Sequence, residues 1–254
     1  MNLLTYVLHL AGSGASAYFL ARQMRDPLTR PNVLAGFQLA ESGSVPFLTN
    51  LSQRAAAEGD EWLAQKLATH AADESRHGQI FAHALKQLNK QVIDFKNQPK
   101  PASEGKQQQR SPFFAAYFEG YSQEQFKPET LYWLVFMAST YILELDASKD
   151  FIRMANVLPE DELTSRNLKK GILSIAEDET QHANYLYEAM LRRLPRSEVE
   201  KLVDEWRTRK VNALLAMVKG MVQRDNSQPN LVQDRISKEA DTDAADRQLE
   251  AIAS

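Results

Sequence analysis

The stretch Asp73-Glu74-Ser75-Arg76-His77 lies in a run of helical periodicity and recurs as Asp178-Glu179-Thr180-Gln181-His182. Each copy places a histidine three positions after a glutamate, and residues three apart on an α-helix lie on the same face. Each Glu-x-x-His therefore presents a carboxylate oxygen and an imidazole nitrogen to one point. The repeat predicts two similar helical units that carry the same pair of side chains.

Each Glu-x-x-His pair is preceded by a single glutamate on the apolar face of another predicted helix. Glu41 precedes Glu74 by 33 residues, and Glu144 precedes Glu179 by 35 residues. We interpret each unit as a helical hairpin with inward-facing carboxylates. When two such antiparallel hairpins pack together, four glutamates and two histidines reach the centre of the bundle.

Four buried carboxylates repel one another and are costly to desolvate unless a positive charge neutralises them. Two divalent cations would provide that charge. Carboxylate and imidazole ligands without thiolate favour iron or manganese, and the ligand set alone leaves zinc open.

Helical periodicity covers most of the chain, and strand signals are nearly absent. We predict an all-α fold with a single domain over residues 1–223, followed by a polar, acidic tail over residues 224–254. The crossover between the hairpins is expected at residues 90–127. The core helices are expected at about residues 32–58, 60–89, 128–156 and 160–193. Pro46 predicts a kink or π-bulge in the first of them, because proline lacks a backbone donor.

The composition narrows the class of protein. The chain of 254 residues has 30 basic and 33 acidic residues and no cysteine. Disulfides, thiolate ligands and iron–sulfur clusters are thereby excluded, and the balanced charge gives no argument for a nucleic-acid partner. Residues 1–20 are fairly apolar but lack the basic start of a signal peptide. We therefore expect them to form a helix packed on the body, without membrane contact, in a cytoplasmic protein.

At these residues the sequence resembles the ferritin-like di-iron carboxylate superfamily, which includes ferritins, rubrerythrins and oxygen-activating oxidases. The resemblance covers about residues 32–90 and 128–193. It implies a ferritin-like four-helix bundle with additional N- and C-terminal helices, and bridging roles for Glu74 and Glu179. It also implies six metal ligands, which are Glu41, Glu74, His77, Glu144, Glu179 and His182.

Four other polar residues lie close to these expected ligands in the sequence. In relatives with the Asp-Glu-x-x-His form the aspartate hydrogen-bonds a ligand histidine, which implies that role for Asp73 and Asp178; a solvated helix face is the alternative. Ser148, one turn after Glu144, either handles protons or oxygen at the metal site or bonds to its own helix. His70 is either an extra ligand or a core histidine beside the site.

The function we predict is O2 activation by two iron ions, with manganese possible at one or both positions, to oxidise a small apolar organic substrate. A histidine in both halves favours such oxidases over ferritins, which usually lack the second one. With no cysteine and no flavin motif, the chain needs an external ferredoxin, a flavoprotein or the substrate as electron donor. The family also implies a homodimer. The alternatives are a rubrerythrin-like protein that removes peroxide or handles iron, and a non-enzymatic helical interaction module.

Overall fold

The computed structural model of the chain describes residues 3–94, 111–223 and 230–235. These residues are mostly α-helical, as the periodicity predicts, and a short 3-10 helix spans Glu124–Phe126. The α-helices are α1 (Leu3–Arg25), α2 (Arg30–Ala57), α3 (Glu61–Gln87), α4 (Pro112–Tyr117), α5 (Trp133–Asn156), α6 (Leu163–Leu191) and α7 (Arg196–Gln223). The two short strands are β1 (Lys90–Val92) and β2 (Val232–Asp234).

The helices α2 and α3 form one hairpin, and α5 and α6 form the other. Gly59, with φ of 84°, lies in the turn between α2 and α3, where its left-handed conformation is tolerated because glycine has no side chain. Asp60 then caps α3 by accepting a hydrogen bond from the backbone N–H of Leu63 at 3.0 Å. The hairpins contact each other through α3 and α6. The two helices that carry the Glu-x-x-His motifs, α3 and α6, are therefore in contact.

Two apolar cores fill the space between the hairpins. One contains Leu51 and Met137, and the other contains Leu34 and Phe151. On each of the four helices, the predicted metal-binding glutamate lies between residues of one core and residues of the other. The polar site is therefore enclosed by apolar side chains towards both ends of the bundle.

The flanking helices cover this assembly. The N-terminal helix α1 packs against α2, α5 and α7, and α4 packs against α7. Among the described helices, none is both long and apolar enough to cross a membrane.

The third core helix starts later than predicted. Residues 128–130 form a turn instead of the first helical turn. Arg54 stabilises this turn. Its guanidinium donates to the carbonyl oxygens of Pro128 at 2.9 Å and Leu131 at 2.7 Å. These contacts join residues more than 70 positions apart, so the sequence pattern did not contain them.

The π-bulge predicted at Pro46 is not formed. Residues 38–50 are α-helical throughout, within the uninterrupted helix α2. Proline removes only one backbone donor, and extensive packing of α2 against α3 keeps the helix regular around it.

Part of the segment predicted as a polar, acidic tail, residues 230–235, is described by the structure and contains strand β2. Strand β2 pairs antiparallel with β1, and Val92 lies opposite Val232. The preceding Leu231 packs against the core that contains Leu34, and its backbone N–H donates to Asn32 Oδ1 at 2.6 Å. The remainder of the predicted tail and residues 95–110 of the predicted crossover lie outside the described residues.

Candidate metal centre

The six side chains predicted as ligands come together between the hairpins. They are Glu41 on α2, Glu74 and His77 on α3, Glu144 on α5, and Glu179 and His182 on α6. All are buried except Glu144, of whose side chain 14% is exposed. Together with His70 they form two overlapping groups, in each of which all ligand atoms lie within 4.8 Å of one another, and these groups could hold metal ions.

The first group, which we name position A, consists of Glu41, Glu74, His77 and Glu179. The Nδ1 atom of His77 lies 3.5 Å from Glu41 Oε2 and 3.3 Å from Glu179 Oε1. This nitrogen is buried and has no hydrogen-bond partner among the described residues. An orphaned imidazole nitrogen that faces carboxylate oxygens fits a cation between them.

The second group, position B, consists of His70, Glu74, Glu144 and His182. Glu74 thus belongs to both positions. Glu179 also faces both, since its Oε1 lies 3.3 Å from His77 Nδ1 and its Oε2 lies 3.3 Å from His182 Nδ1. The two glutamates to which the resemblance assigns bridging roles, Glu74 and Glu179, therefore lie between positions A and B.

The aspartates of the two motifs cross over between the hairpins. Asp178 Oδ2 lies 3.0 Å from Nε2 of His77, and Asp73 Oδ2 lies 3.2 Å from Nε2 of His182. A proton on Nε2 that is donated to the aspartate leaves the Nδ1 lone pair free to bind a metal ion. Each aspartate thus lies within hydrogen-bond distance of a predicted ligand histidine, and that histidine belongs to the other motif.

Two neighbouring polar residues have local roles. Arg76 donates to Asp178 and, at 2.9 Å, to Ser174 Oγ, so it ties α3 to α6. The hydroxyl of Ser148 donates to the carbonyl oxygen of Leu145 at 3.0 Å. This hydrogen bond to its own helix is the second of the two alternatives for Ser148.

Sequence reasoning missed Ser44 and Tyr185. The hydroxyl of Ser44 lies 2.8 Å from Glu74 Oε2, and its position three residues after Glu41 on the same helical face is a signal that could have found it. Tyr185 Oη lies 2.8 Å from His70 Nδ1. Tyr185 is on α6 and His70 is on α3, and no local sequence pattern links them.

Burial sets the electrostatics of the carboxylates. It raises the pKa of Glu41 and of Glu144 well above the ordinary value, and neighbouring glutamates add to the effect by repulsion. Burial also raises the pKa of Glu179 to about 7. For Glu74 burial acts in the same direction, but hydrogen bonds from His70, Glu41 and Ser44 outweigh it and lower its pKa to about 2. Bound cations would displace the protons that these carboxyl groups otherwise retain.

Two glycines allow the close approach of the helices at this site. A Cβ atom at Gly78, next to His77, would collide with Ser42 Oγ on α2. A Cβ atom at Gly171 would lie 2.7 Å from Ile80 Cγ2, so α6 could not approach α3 as closely with alanine there. The absence of both side chains brings the ligand-bearing faces within reach of one another.

Comparison with protein-family models, with curated proteins and with solved structures finds no match for this chain.

Proposed function

We propose that this protein is a ferritin-like di-iron oxidase that uses O2 to oxidise a small, apolar organic substrate. The observation that carries the proposal is the convergence of four glutamates and two Glu-x-x-His histidines, with the buried Nδ1 atom of His77 lacking any described hydrogen-bond partner. Such a set of oxygen and nitrogen donors suits iron, and manganese is the alternative at one or both positions. Two ferrous ions would supply electrons for the reduction of O2.

The side chains of the chain have distinct roles in this proposal. Glu74 and Glu179 would bridge the ions, and Glu41 and Glu144 would each bind one. The crossed aspartates hold the histidines with Nδ1 directed inwards. Because carboxylates with flexible side chains can bind through one oxygen or two, they can adjust to changes in the charge of the ions.

The apolar surroundings support oxidation of an apolar molecule inside the bundle. Phe37 contacts both Phe81 and Phe151, with ring centroids 5.3 Å and 5.1 Å apart, and Phe81 follows His77 by one helical turn. These rings limit access of water to the centre and keep a reactive oxidant from being quenched. Electrons for repeated turnover would come from an external ferredoxin or flavoprotein, or from the substrate.

The test is anaerobic loading with Fe(II), followed by exposure to O2. We expect two iron ions per chain and O2 uptake that yields an oxidised organic product when an apolar substrate is present. Glu179→Ala should lose iron, whereas Glu177→Ala, at an exposed position of the same helix, should retain it. Failure of the wild-type protein to bind iron would refute the proposal. Iron oxidation that deposits mineral, or peroxide consumption without any organic substrate, would instead identify an iron-handling protein.

A further inference from the structure

His70 lies one helical turn before Glu74 and is buried, with 1% of its surface exposed. Its Nε2 atom lies 3.2 Å from Glu74 Oε1 and 3.5 Å from Glu144 Oε1. Its ring stacks on the ring of His182, with centroids 3.7 Å apart. His70 therefore occupies the same space between the carboxylates as the histidines of the two motifs.

His70, His77 and His182 have the same arrangement of contacts around their two ring nitrogens. In His77 and His182 one ring nitrogen faces the carboxylates, while the other lies within hydrogen-bond distance of an aspartate. In His70 one nitrogen faces Glu74 and Glu144, and the other lies 2.8 Å from the hydroxyl of Tyr185. Histidines that bind metals characteristically hydrogen-bond through the nitrogen that is not bound to the ion. Tyr185 takes the place at His70 that the aspartates take at the other two.

The alternative is a core histidine that donates an Nε2 hydrogen bond to Glu74. That tautomer would direct a proton towards any cation held by Glu74 and Glu144, which is electrostatically unfavourable. The other tautomer donates from Nδ1 to Tyr185 Oη and directs the Nε2 lone pair towards the two carboxylates. A cation at position B therefore favours the tautomer in which His70 can bind it.

We propose that His70 is a seventh ligand and that it makes the two metal positions chemically different. This inference rests on the proposed function, because it takes the site to hold two ions. Glu74 and Glu179 face both positions, so the two positions differ in their histidines: position A has one and position B has two. The internal repeat does not predict this difference, because the residue that corresponds to His70 in the second motif, four positions before Glu179, is Ile175.

The difference has a consequence for metal selection. Imidazole ligands favour ions such as Fe²⁺, Co²⁺ and Zn²⁺ relative to Mn²⁺, and carboxylate ligands suit Mn²⁺ better. When Mn²⁺ and Fe²⁺ are offered together, position B is expected to select Fe²⁺ and position A to accept Mn²⁺. His70→Ala should reduce this discrimination by leaving one histidine at each position.

The test uses the whole chain loaded with Co²⁺, whose paramagnetism shifts the exchangeable ring N–H protons of bound histidines in NMR spectra. We expect three such signals from the wild-type protein, two from His70→Ala, and three from the control His83→Ala, which alters an exposed histidine on the same helix. Titration of His70→Ala should show at least tenfold weaker binding of one of the two ions, since loss of even an indirect partner of a ligand costs about 10–100-fold in affinity.

A second variant makes the test independent of whether His70→Ala folds. Tyr185→Phe retains the ring but removes the hydroxyl, so the shifted signal of His70 should exchange faster with solvent while the other two stay unchanged. Two signals from wild-type protein that binds two ions would overturn the role of His70 and leave the proposed function intact. Wild-type protein that binds no metal ion would refute both.

Discussion

Replacement of Glu179 by glutamine should have opposite effects on stability in the presence and absence of metal. In protein stripped of metal, burial raises the pKa of Glu179 from 4.5 to about 7. The folded chain then keeps a proton that the unfolded chain releases, so the free energy of unfolding falls as the pH rises from 4.5 to about 7. The difference of 2.5 units (7 − 4.5) corresponds to about 3 kcal/mol. Glutamine, which is neutral at every pH, avoids this cost.

We therefore expect Glu179→Gln in the presence of a chelator near pH 8 to be more stable than wild type by up to about 3 kcal/mol. For a chain of this size that is roughly 6–12 °C in Tm. The advantage should vanish well below pH 4.5, where the glutamate is protonated in both the folded and the unfolded chain. Repulsion from Glu179 also raises the pKa of Glu144 and of Glu41, so removal of that charge acts on their protonation in the same stabilising direction.

With metal bound, the order should reverse, because the variant lacks one of the two carboxylates that face both positions. Thermal unfolding followed by helical circular dichroism, with and without chelator, measures both effects. Glu177→Gln, on the exposed face of the same helix, should change neither. A variant that is no more stable than wild type in chelator at pH 8 would refute the argument from burial. A variant as stable as wild type after metal loading would refute the role of Glu179 as a ligand.

Three other predictions concern the surroundings of the site. In chemical denaturation Gly78→Ala should be less favourable in the wild-type chain than in a Ser42→Ala chain, because the new methyl group collides with Ser42 Oγ and forces that side chain to rotate; the same effect in both chains would contradict this. Asp178→Asn should weaken metal binding about 10–100-fold in titrations without loss of helical signal, because it disturbs the proton position on His77, and unchanged affinity would disprove the orienting role. Lys210 on α7 and Asp146 on α5 form a buried ion pair, with the ammonium 2.5 Å from Asp146 Oδ2. Lys210→Met should cost about 3–5 kcal/mol of unfolding free energy, because it leaves this carboxylate without its main countercharge. The double variant with Asp146→Asn should cost less, and additive losses would contradict the pairing.

The helices and the inward positions of the six candidate ligand residues could be inferred from the sequence because both depend on local spacing. Glu74 and His77 share a helical face in any α-helix, and the second copy at Glu179 and His182 repeats that geometry. The apolar residues around Glu41 in turn indicate that its carboxylate faces inwards. These inferences require only the pitch of the helix and the cost of burying an unpaired charge.

The short antiparallel ladder could not be predicted in this way. Its strands, Lys90–Val92 and Val232–Asp234, have three residues each and are 140 positions apart in the chain (232 − 92). Three residues are too few for an alternating pattern to be distinguished from a loop. Their pairing depends instead on where Leu231 finds an apolar surface.

The sequence by itself determined which residues face inwards, because helical pitch relates positions only a few residues apart. Only the tertiary structure decided which side chains meet across the hairpins. Asp178 lies beside His77, Asp73 lies beside His182, and His70 contacts Tyr185. All three contacts depend on the axial offset and rotation of α3 against α6. Gly171 lies at the contact between these two helices, where a Cβ atom would come within 2.7 Å of Ile80 Cγ2 and prevent the close approach of α6 to α3. The Asp-Glu-x-x-His motif is shared by both halves, whereas His70 has Ile175 as its counterpart, and the packed helices place His70 in only one of the two groups that could hold a metal ion.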